Sequence, residues 1–417
     1  MSEGVVRDVW RRESPHVLAA LLRRHGDLGH CEDAAQEAAE AATVQWDRDG
    51  VPTDPRGWLI TVASRRLIDR VRADRSRAGR EEAVAAAQPR DAHTAPAADR
   101  APIGDSDDTL RMLVLCCHPS LSRPSQVALT LHAVCGLGTA EIAAAYLVPA
   151  RTMTQRLTRA RSTLRSAGAV FELPSRADLP ARIAAVLDVC HLLFTEGHTR
   201  STGSALVDWS LTAEAMRLTR QLHCAIPDHD EIAGALALML LTDARTATRT
   251  EAGELVPLAD QDRSRWDRDL IAEGVAILER VLPRGHIGRF QLQAAIAAVH
   301  AESPTWQDTD WPQISILYAM LDRVAPGPFV TLNRAVAVGM ERGPAHGLAL
   351  LAPLLDNPSM RRHHRTHAVR AHLLEMLGDR AAAIESYRRA AQLATSVPEQ
   401  RYLNDRARRL ADGDPGV

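Results

Sequence analysis

Residues 138–165 carry two short helical patterns separated by a break too brief for anything but a tight turn. That pair limits what this part of the chain can become. The first reads Gly138-Thr139-Ala140-Glu141-Ile142-Ala143-Ala144-Ala145-Tyr146, with Thr139 placed to cap it. The second opens at Pro149, which suits a first helical position because its missing N–H costs nothing there. Met153, Leu157, Ala160 and Leu164 recur at i, i+4, i+7 and i+11 and predict one buried row. Thr154, Gln155, Thr158, Arg159, Ser162 and Arg165 fall on the opposite face, and residues 149–165 hold five Arg and no acid. An apolar back and a cationic, hydrogen-bonding front describe a helix-turn-helix whose second helix enters a DNA groove. An ordinary amphipathic pair with a solvated arginine face has the same spacing, so the motif needs support from elsewhere in the chain.

Support comes from upstream. Asp54-Pro55-Arg56-Gly57-Trp58-Leu59 opens a helical pattern that runs through Arg72, with Ile60, Ala63, Leu67 and Val71 as its expected apolar row. Residues 54–80 contain eight Arg against three Asp. Such a helix can follow a nucleic-acid backbone while Trp58 packs at its entry. Before it, Cys31-Glu32-Asp33-Ala34-Ala35-Gln36-Glu37-Ala38-Ala39-Glu40 forms a helix with an acidic face. An acidic face repels DNA and points instead to a protein partner.

An acidic helix, a Pro-Arg-Gly-Trp-Leu helix and then a helix-turn-helix, in that order, resemble the bacterial sigma factors of the extracytoplasmic-function type over residues 1–167. The resemblance implies an all-α protein. Sigma region 2 would occupy residues 1–80, a flexible linker 81–108, region 4 with its helix-turn-helix 109–168, and a helical extension 169–417. It implies that Asp33, Gln36 and Glu37 grip core RNA polymerase. The loop from Asp47 to Arg56 and the helix after it would open the −10 element, with Arg56, Trp58, Arg65, Arg66, Arg70 and Arg72 on the DNA. Arg151, Thr152, Thr154, Gln155, Thr158, Arg159 and Arg161 would serve the −35 element. Where that family often carries Asn four residues before the helix's Asp69, this chain has Arg65, which leaves the −10 base contact open. The linker assignment agrees with Pro89, Pro96 and Pro102 and with the acids Asp99, Asp105, Asp107 and Asp108 at its end. In the family this segment threads toward the RNA exit path of the polymerase.

The extension reads as helices at 178–196, 204–224, 228–244, 263–282, 288–303, 310–324, 328–341, 345–355, 363–377 and 380–395. Leu377-Gly378…Ala383…Tyr387…Ala390 is spaced like a tetratricopeptide unit, and Leu332–Leu355 gives a similar hairpin around Arg342-Gly343. A sigma-like front joined to such an extension resembles the actinobacterial subgroup that carries its own C-terminal domain. Asp260-Gln261-Asp262-Arg263 and Thr331-Leu332-Asn333-Arg334 share in that likeness, whereas Glu196-Gly197-His198 and Asp208-Trp209-Ser210 depart from it. The likeness implies an extension that controls or supports the sigma half, through an unknown protein or small ligand.

Composition sets further bounds. All 50 basic residues are Arg, against 52 acids, so the chain is no bulk DNA coater. No signal pattern is read at the start, where Trp10-Arg11-Arg12-Glu13 interrupts any apolar core, and Ile232–Leu241 is too short for a membrane span. A cytoplasmic protein, nucleoid-associated when on polymerase, is expected, with its six Cys as reduced thiols. Cys116-Cys117-His118 lacks a second ligand pair, and His191, Glu196, His198 and Asp208 lack ligand spacing, so no metal and no cofactor are expected. Arg361-Arg362-His363-His364-Arg365-Thr366-His367 reads as a solvated basic face. No phosphate loop or nucleophile elbow is present in the pattern, and no enzyme active site is expected. The alternative function is a one-component helix-turn-helix regulator with a helical sensor, which needs neither the acidic helix nor the Pro55–Arg72 element.

Overall fold

Short polar side chains and glycines set the helix ends in this chain. The computed structural model describes residues 3–82, 105–146, 148–199, 209–251 and 253–412. They fall into two compact units, Met1–Val189 and Cys190–Val417. Eighteen α-helices are present among the described residues, with one two-stranded hairpin.

In the first unit, α1 (Glu3–His25), α2 (Leu28–Asp49) and α3 (Pro55–Glu82) pack against one another. Asp27 starts α2 by accepting from the His30 N–H at 2.9 Å, and Gly50, at φ +83°, ends it. Asp54 starts α3 in the same way, accepting from the Gly57 N–H at 2.9 Å. A Cβ on Gly57 would lie 2.3 Å from the Asp54 carboxylate, so the cap requires glycine there. Leu59, Ala63 and Leu67 are fully buried, while Ile60 stays half-buried. The inward row of α3 is therefore shifted by one residue at its start from the expected one, and the Val71 side chain lies outside the described residues.

Four further helices follow: α4 (Asp105–Cys116), α5 (Arg123–Ala133), α6 (Thr139–Ala145) and α7 (Ala150–Ser166). Most of the expected linker, residues 83–104, lies outside the described residues. Its last four positions are helix, because acids in a first turn favour the helix dipole and because buried Asp108 pairs with Arg23 of α1. Cys116 and Cys117 are buried core thiols, and burial pushes Cys116 well above the usual range. The unit does not stop at Gly168. In α8 (Leu179–His198), Arg182 donates to the Val114 carbonyl at 2.9 Å and Asp188 pairs with Arg123.

The second unit continues through α9 (Trp209–Ala225) and α10 (Asp230–Asp243) to the hairpin of β1 (Thr250–Glu251) and β2 (Glu254–Leu255). Next come α11 (Arg268–Val281), α12 (Arg289–Glu302), α13 (Trp311–Val324) and α14 (Pro328–Arg342). The chain ends with α15 (Pro344–Asp356), α16 (His364–Leu377), α17 (Arg380–Leu393) and α18 (Val397–Asp412). The apolar run Ile232–Leu241 is buried at every position, and α9, α11 and α12 surround it. No helix among the described residues is long and apolar enough to cross a membrane. α11 starts at Arg268 rather than 263, because Asp267 caps the N–H groups of Asp269 and Leu270. α18 was not anticipated; only Pro398, Leu403 and Ala407 of its residues are buried, which leaves a weak periodic signal among its arginines.

From α13 onward each helix packs on the next, as stacked hairpins do. Gly378 turns the α16–α17 hairpin at φ +87°, and Ala383, Tyr387 and Ala390 are buried. Tyr387 donates to Glu375 at 2.7 Å. Another glycine permits a close backbone approach. A Cβ on Gly347 would meet the Ala335 carbonyl at 2.6 Å and Gly339 at 3.1 Å, so at this point α14 and α15 come together as closely as glycine allows. The basic string at 361–367 is structural: His363 caps α16, His364 faces Glu399, and His367 bonds the Arg361 carbonyl.

Burial, then Arg249 and Arg245, drives His198 down to about 2; burial, then Arg245 and Arg263, drives His300 to about 4. Both imidazoles are neutral when folded and gain a proton more readily when unfolded. Their stability contribution is complete above the ordinary pKa of about 6.5 and is lost as pH falls below it. At about pH 5 that is on the order of 2 kcal/mol for each. Thermal unfolding of the second unit should occur at a clearly lower temperature at about pH 5 than at about pH 7, and His198→Gln should shrink the difference. Equal midpoints at the two pH values would contradict this account.

Candidate nucleic-acid interface

The helix-turn-helix forms from its own sequence. Glu141 reaches back to accept from the Gly138 N–H at 2.9 Å, making Thr139 the first helical residue rather than the cap. The Val148 N–H bonds the Ala143 carbonyl at 3.0 Å and closes the turn, and Pro149 caps α7. Met153, Leu157, Ala160 and Leu164 are buried, as their spacing predicts. Arg151, Thr152, Thr154, Gln155, Thr158 and Arg159 are exposed. The Thr154 and Thr158 hydroxyls donate back to the carbonyls of Ala150 and Thr154. Outward donors on that face are therefore concentrated in Thr152, Gln155 and the two arginines.

Arg161 and Arg165 behave differently. Arg161 is half-buried and ion-pairs with Glu32, whose side chain is 3% exposed. Arg165 pairs with Asp27 at 2.7 Å. Burial raises the Asp27 pKa, but the hydrogen bonds from Arg165 and His30 outweigh it and leave the carboxyl below its usual value. The C-terminal half of α7 is thus tied to the start of α2. Sequence reasoning missed Glu32 and Asp27. The available signal was that Glu32 shares a helical face with Leu28 and Ala35, and a carboxylate on an apolar face needs a partner.

On α2, Asp33 and Gln36 are exposed, and half-buried Glu37 lies 4.0 Å from Arg66. On α3, Arg65 and Arg66 are exposed, whereas Arg56 pairs with Glu13 of α1 at 2.7 Å. Trp58 packs edge-on against buried Trp46 with ring centroids 5.3 Å apart, which fixes the entry of α3. Arg70 and Arg72 fall on α3, with side chains outside the described residues. In the second unit, His191 packs on Phe290, and His198 lies 3.4 Å from the Thr246 hydroxyl; Asp208 lies outside the described residues.

A polar-faced recognition helix, a basic helix with a tryptophan at its entry and an acidic helix beside it define the class of sigma-70-type initiation factors. Comparison with known proteins agrees. Residues 9–77 match Sigma-70 region 2, residues 111–164 match Sigma-70 region 4, and residues 182–282 match a family of unknown function, DUF6596. An uncharacterized protein of Rhizobium meliloti is 39% identical over 400 residues, covering 95% of this chain and 94% of its own. The protein named "Probable ECF RNA polymerase sigma factor SigI" of Mycobacterium tuberculosis is 32% identical over 161 residues, 37% of this chain and 53% of its own. The ECF RNA polymerase sigma factor SigK of Mycobacterium ulcerans is 31% identical over 151 residues, 36% of this chain and 76% of its own. No solved structure matches. The chain belongs to the extracytoplasmic-function sigma factors of the sigma-70 family and carries an additional helical C-terminal region. Members of this family bind core RNA polymerase and promoter DNA.

Removing one member of a buried ion pair strands the other charge, at a cost of about 3–5 kcal/mol unless the site opens to water. Arg161→Ala should therefore release α7 from α2. Amide hydrogen exchange of residues 28–35 and 157–165 should quicken, while exchange within α5 stays slow. Unchanged exchange in both segments would show that the pair does not hold the contact.

Proposed function

We propose that this sigma factor grips core RNA polymerase through Asp33, Gln36 and Glu37 on α2. It engages the −10 element through α3 and reads the −35 element through the N-terminal half of α7, and its extension controls that activity. The observation that carries the DNA reading is the exposed, acid-free front of α7 over a fully buried back. Arg65, Arg66, Arg70 and Arg72 supply phosphate contacts along α3 or a path for the opened strand, with Trp58 and Arg56 at its entry. Arg151 and Arg159 approach backbone and bases with Thr152, Thr154, Gln155 and Thr158, and Arg161 becomes available once it leaves Glu32.

The reading requires movement. Elements centred near −10 and −35 are about 25 base pairs apart, roughly 85 Å of straight duplex at 3.4 Å per base pair. Helices of 28 and 17 residues, α3 and α7, span together only about 68 Å at 1.5 Å per residue, even end to end. With α7 ion-paired to α2, both elements cannot be engaged at once. The pairs Arg161–Glu32 and Arg165–Asp27 then define a closed resting form that opens on polymerase. The extension, a separate compact unit, is suited to bias that opening.

Reversing the charge of Asp33 and Glu37 should weaken holoenzyme assembly in a pull-down with purified core polymerase. Unchanged assembly would overturn the α2 assignment and favour a one-component regulator. Gln155→Ala should relax preference at one or two base pairs of the −35 element, a loss of about 1–3 kcal/mol. An unchanged promoter preference in a selection from random sequence would exclude Gln155 as a base reader. A chain ending at Val189, its helicity checked by circular dichroism, should transcribe from a cognate promoter differently from the full chain. Indistinguishable transcription would make the extension a passenger.

A further inference from the structure

The second unit has a half-open cavity of about 630 Å³ bounded by α10, α12, α13 and α14, within the size range of small-molecule sites. Its walls are mostly apolar and aromatic, with Trp306, Trp311 and Phe329 prominent. Trp306 and Trp311 meet edge to face with centroids 4.9 Å apart, and His300 stacks parallel to Trp306. Phe329, 49% exposed, stands where the cavity meets solvent. Such walls suit a flat, apolar body.

One charged group lines this cavity. Arg245 follows α10 directly, deep inside the protein, where burial holds its pKa below the usual range against the opposing effect of Tyr318, with a smaller lowering from Arg263. The residue keeps part of its surface accessible because it borders the cavity. Among the described residues no carboxylate pairs with it, no hydrogen bond engages its guanidinium, and no Asp or Glu lines the cavity. The neighbouring arginines are occupied. Arg249 donates to the His198 carbonyl and to the Thr199 hydroxyl at 2.7 Å. Arg263 donates to the carbonyls of His300 and Ser303 at 2.9 and 2.8 Å.

The other polar groups at the cavity are neutral near pH 7. His300 is a neutral imidazole, and its buried Nδ1 has no hydrogen-bond partner. Tyr318, pushed up to about 12 by burial, is a protonated phenol hydrogen-bonded with Asn333. The cavity therefore presents a single uncompensated positive charge in an apolar, aromatic setting. A buried cation without a partner is costly, and a planar guanidinium matches a carboxylate with two parallel hydrogen bonds.

We propose that this cavity is a binding site for a small organic monocarboxylate with an aromatic or flat apolar body, its carboxylate on Arg245 and its body against Trp306, Trp311 and Phe329. A monoanion fits better than a phosphate, because among the described residues no second cation borders the cavity to balance a second charge. Arg245 lies in the stretch that matches the family of unknown function. The site goes beyond the regulatory reading above and does not depend on it, since binding is measured on the protein alone.

The test uses the full chain and three probes, benzoate, phenylacetate and indole-3-acetate, each against its neutral amide and against phenyl phosphate. Binding is read by the protein's tryptophan fluorescence, or for the indole probe by calorimetry, and by the shift in unfolding temperature. At least one acid should bind saturably, with its amide at least tenfold weaker and phenyl phosphate weaker than the acid. Arg245→Met removes an unpaired buried charge, so it should raise the unfolding temperature of the free protein and erase the preference for acid over amide. Ala297→Phe, which fills the cavity and keeps Arg245, should abolish binding of acid and amide alike. The proposal is overturned if no acid binds at millimolar concentration, if acid and amide bind equally, or if Arg245→Met binds the acid as the natural chain does. Tighter binding of phenyl phosphate would overturn the carboxylate assignment.

Discussion

Glu32 sits on the side of α2 that also carries Leu28 and Ala35, 5% exposed, and Arg161 reaches it from α7. A carboxylate at such a position is tolerated only if a cation comes to it, so its burial and the docking of α7 are one event. Asp27 does a second job at the same place. It caps α2 through the His30 N–H and holds Arg165. The packing of region 2 with region 4 thus adds charged contacts between α2 and α7 to the packing of α1 against α4 and α5. Contacts of this kind are weakened by competing charges, and a polymerase surface or a DNA backbone supplies such charges.

The second unit is held by a different constraint, the close approach of helices. α10 is apolar on all sides and needs cover from every direction, which α9, α11 and α12 provide. Cover at that distance demands glycine: a Cβ on Gly234 would meet Gln291 at 2.7 Å, and one on Gly274 would meet Leu241 at 2.7 Å. Glu231, at the start of α10, then accepts from the Phe290 and Gln291 N–H groups and caps α12. The same rule recurs at Gly347 between α14 and α15. A cavity of about 630 Å³ with mostly apolar walls and a single arginine opens between these packed helices.

Arginine is the chain's only long cation, and the molecule uses its fixed fork in several ways. Arg182, Arg249 and Arg263 donate to backbone carbonyls at or near helix ends. Arg56, Arg161, Arg165 and Arg406 pair with carboxylates across helices. Arg65, Arg66, Arg151 and Arg159 are exposed on the two helices assigned to nucleic acid. Arg245 fits none of these uses.

The buried row of α7, the capped start of α3, the turn at Gly378 and most helices of the extension could be read from the chain itself. Each depends on spacing and end chemistry within one or two turns, and such signals are local. The one-residue shift on α3 was not legible, because neighbouring helices decide which of two adjacent apolar residues turns inward; the start of α11 after Asp267 is end chemistry that the periodic reading passed over, and α18 buries too few residues to give a clear period. Exposure of Asp33, Gln36, Thr154 and Gln155 followed from periodicity. The fate of Arg161 did not, since its partner lies 129 residues away and nothing in the local pattern separates it from Arg159. Arg245 was equally silent in sequence: an arginine after an apolar helix looks like a solvated helix end until the fold closes over it. Periodicity records which face is apolar. Only tertiary structure decides which charges meet a partner, because pairing depends on distances that the chain order does not contain.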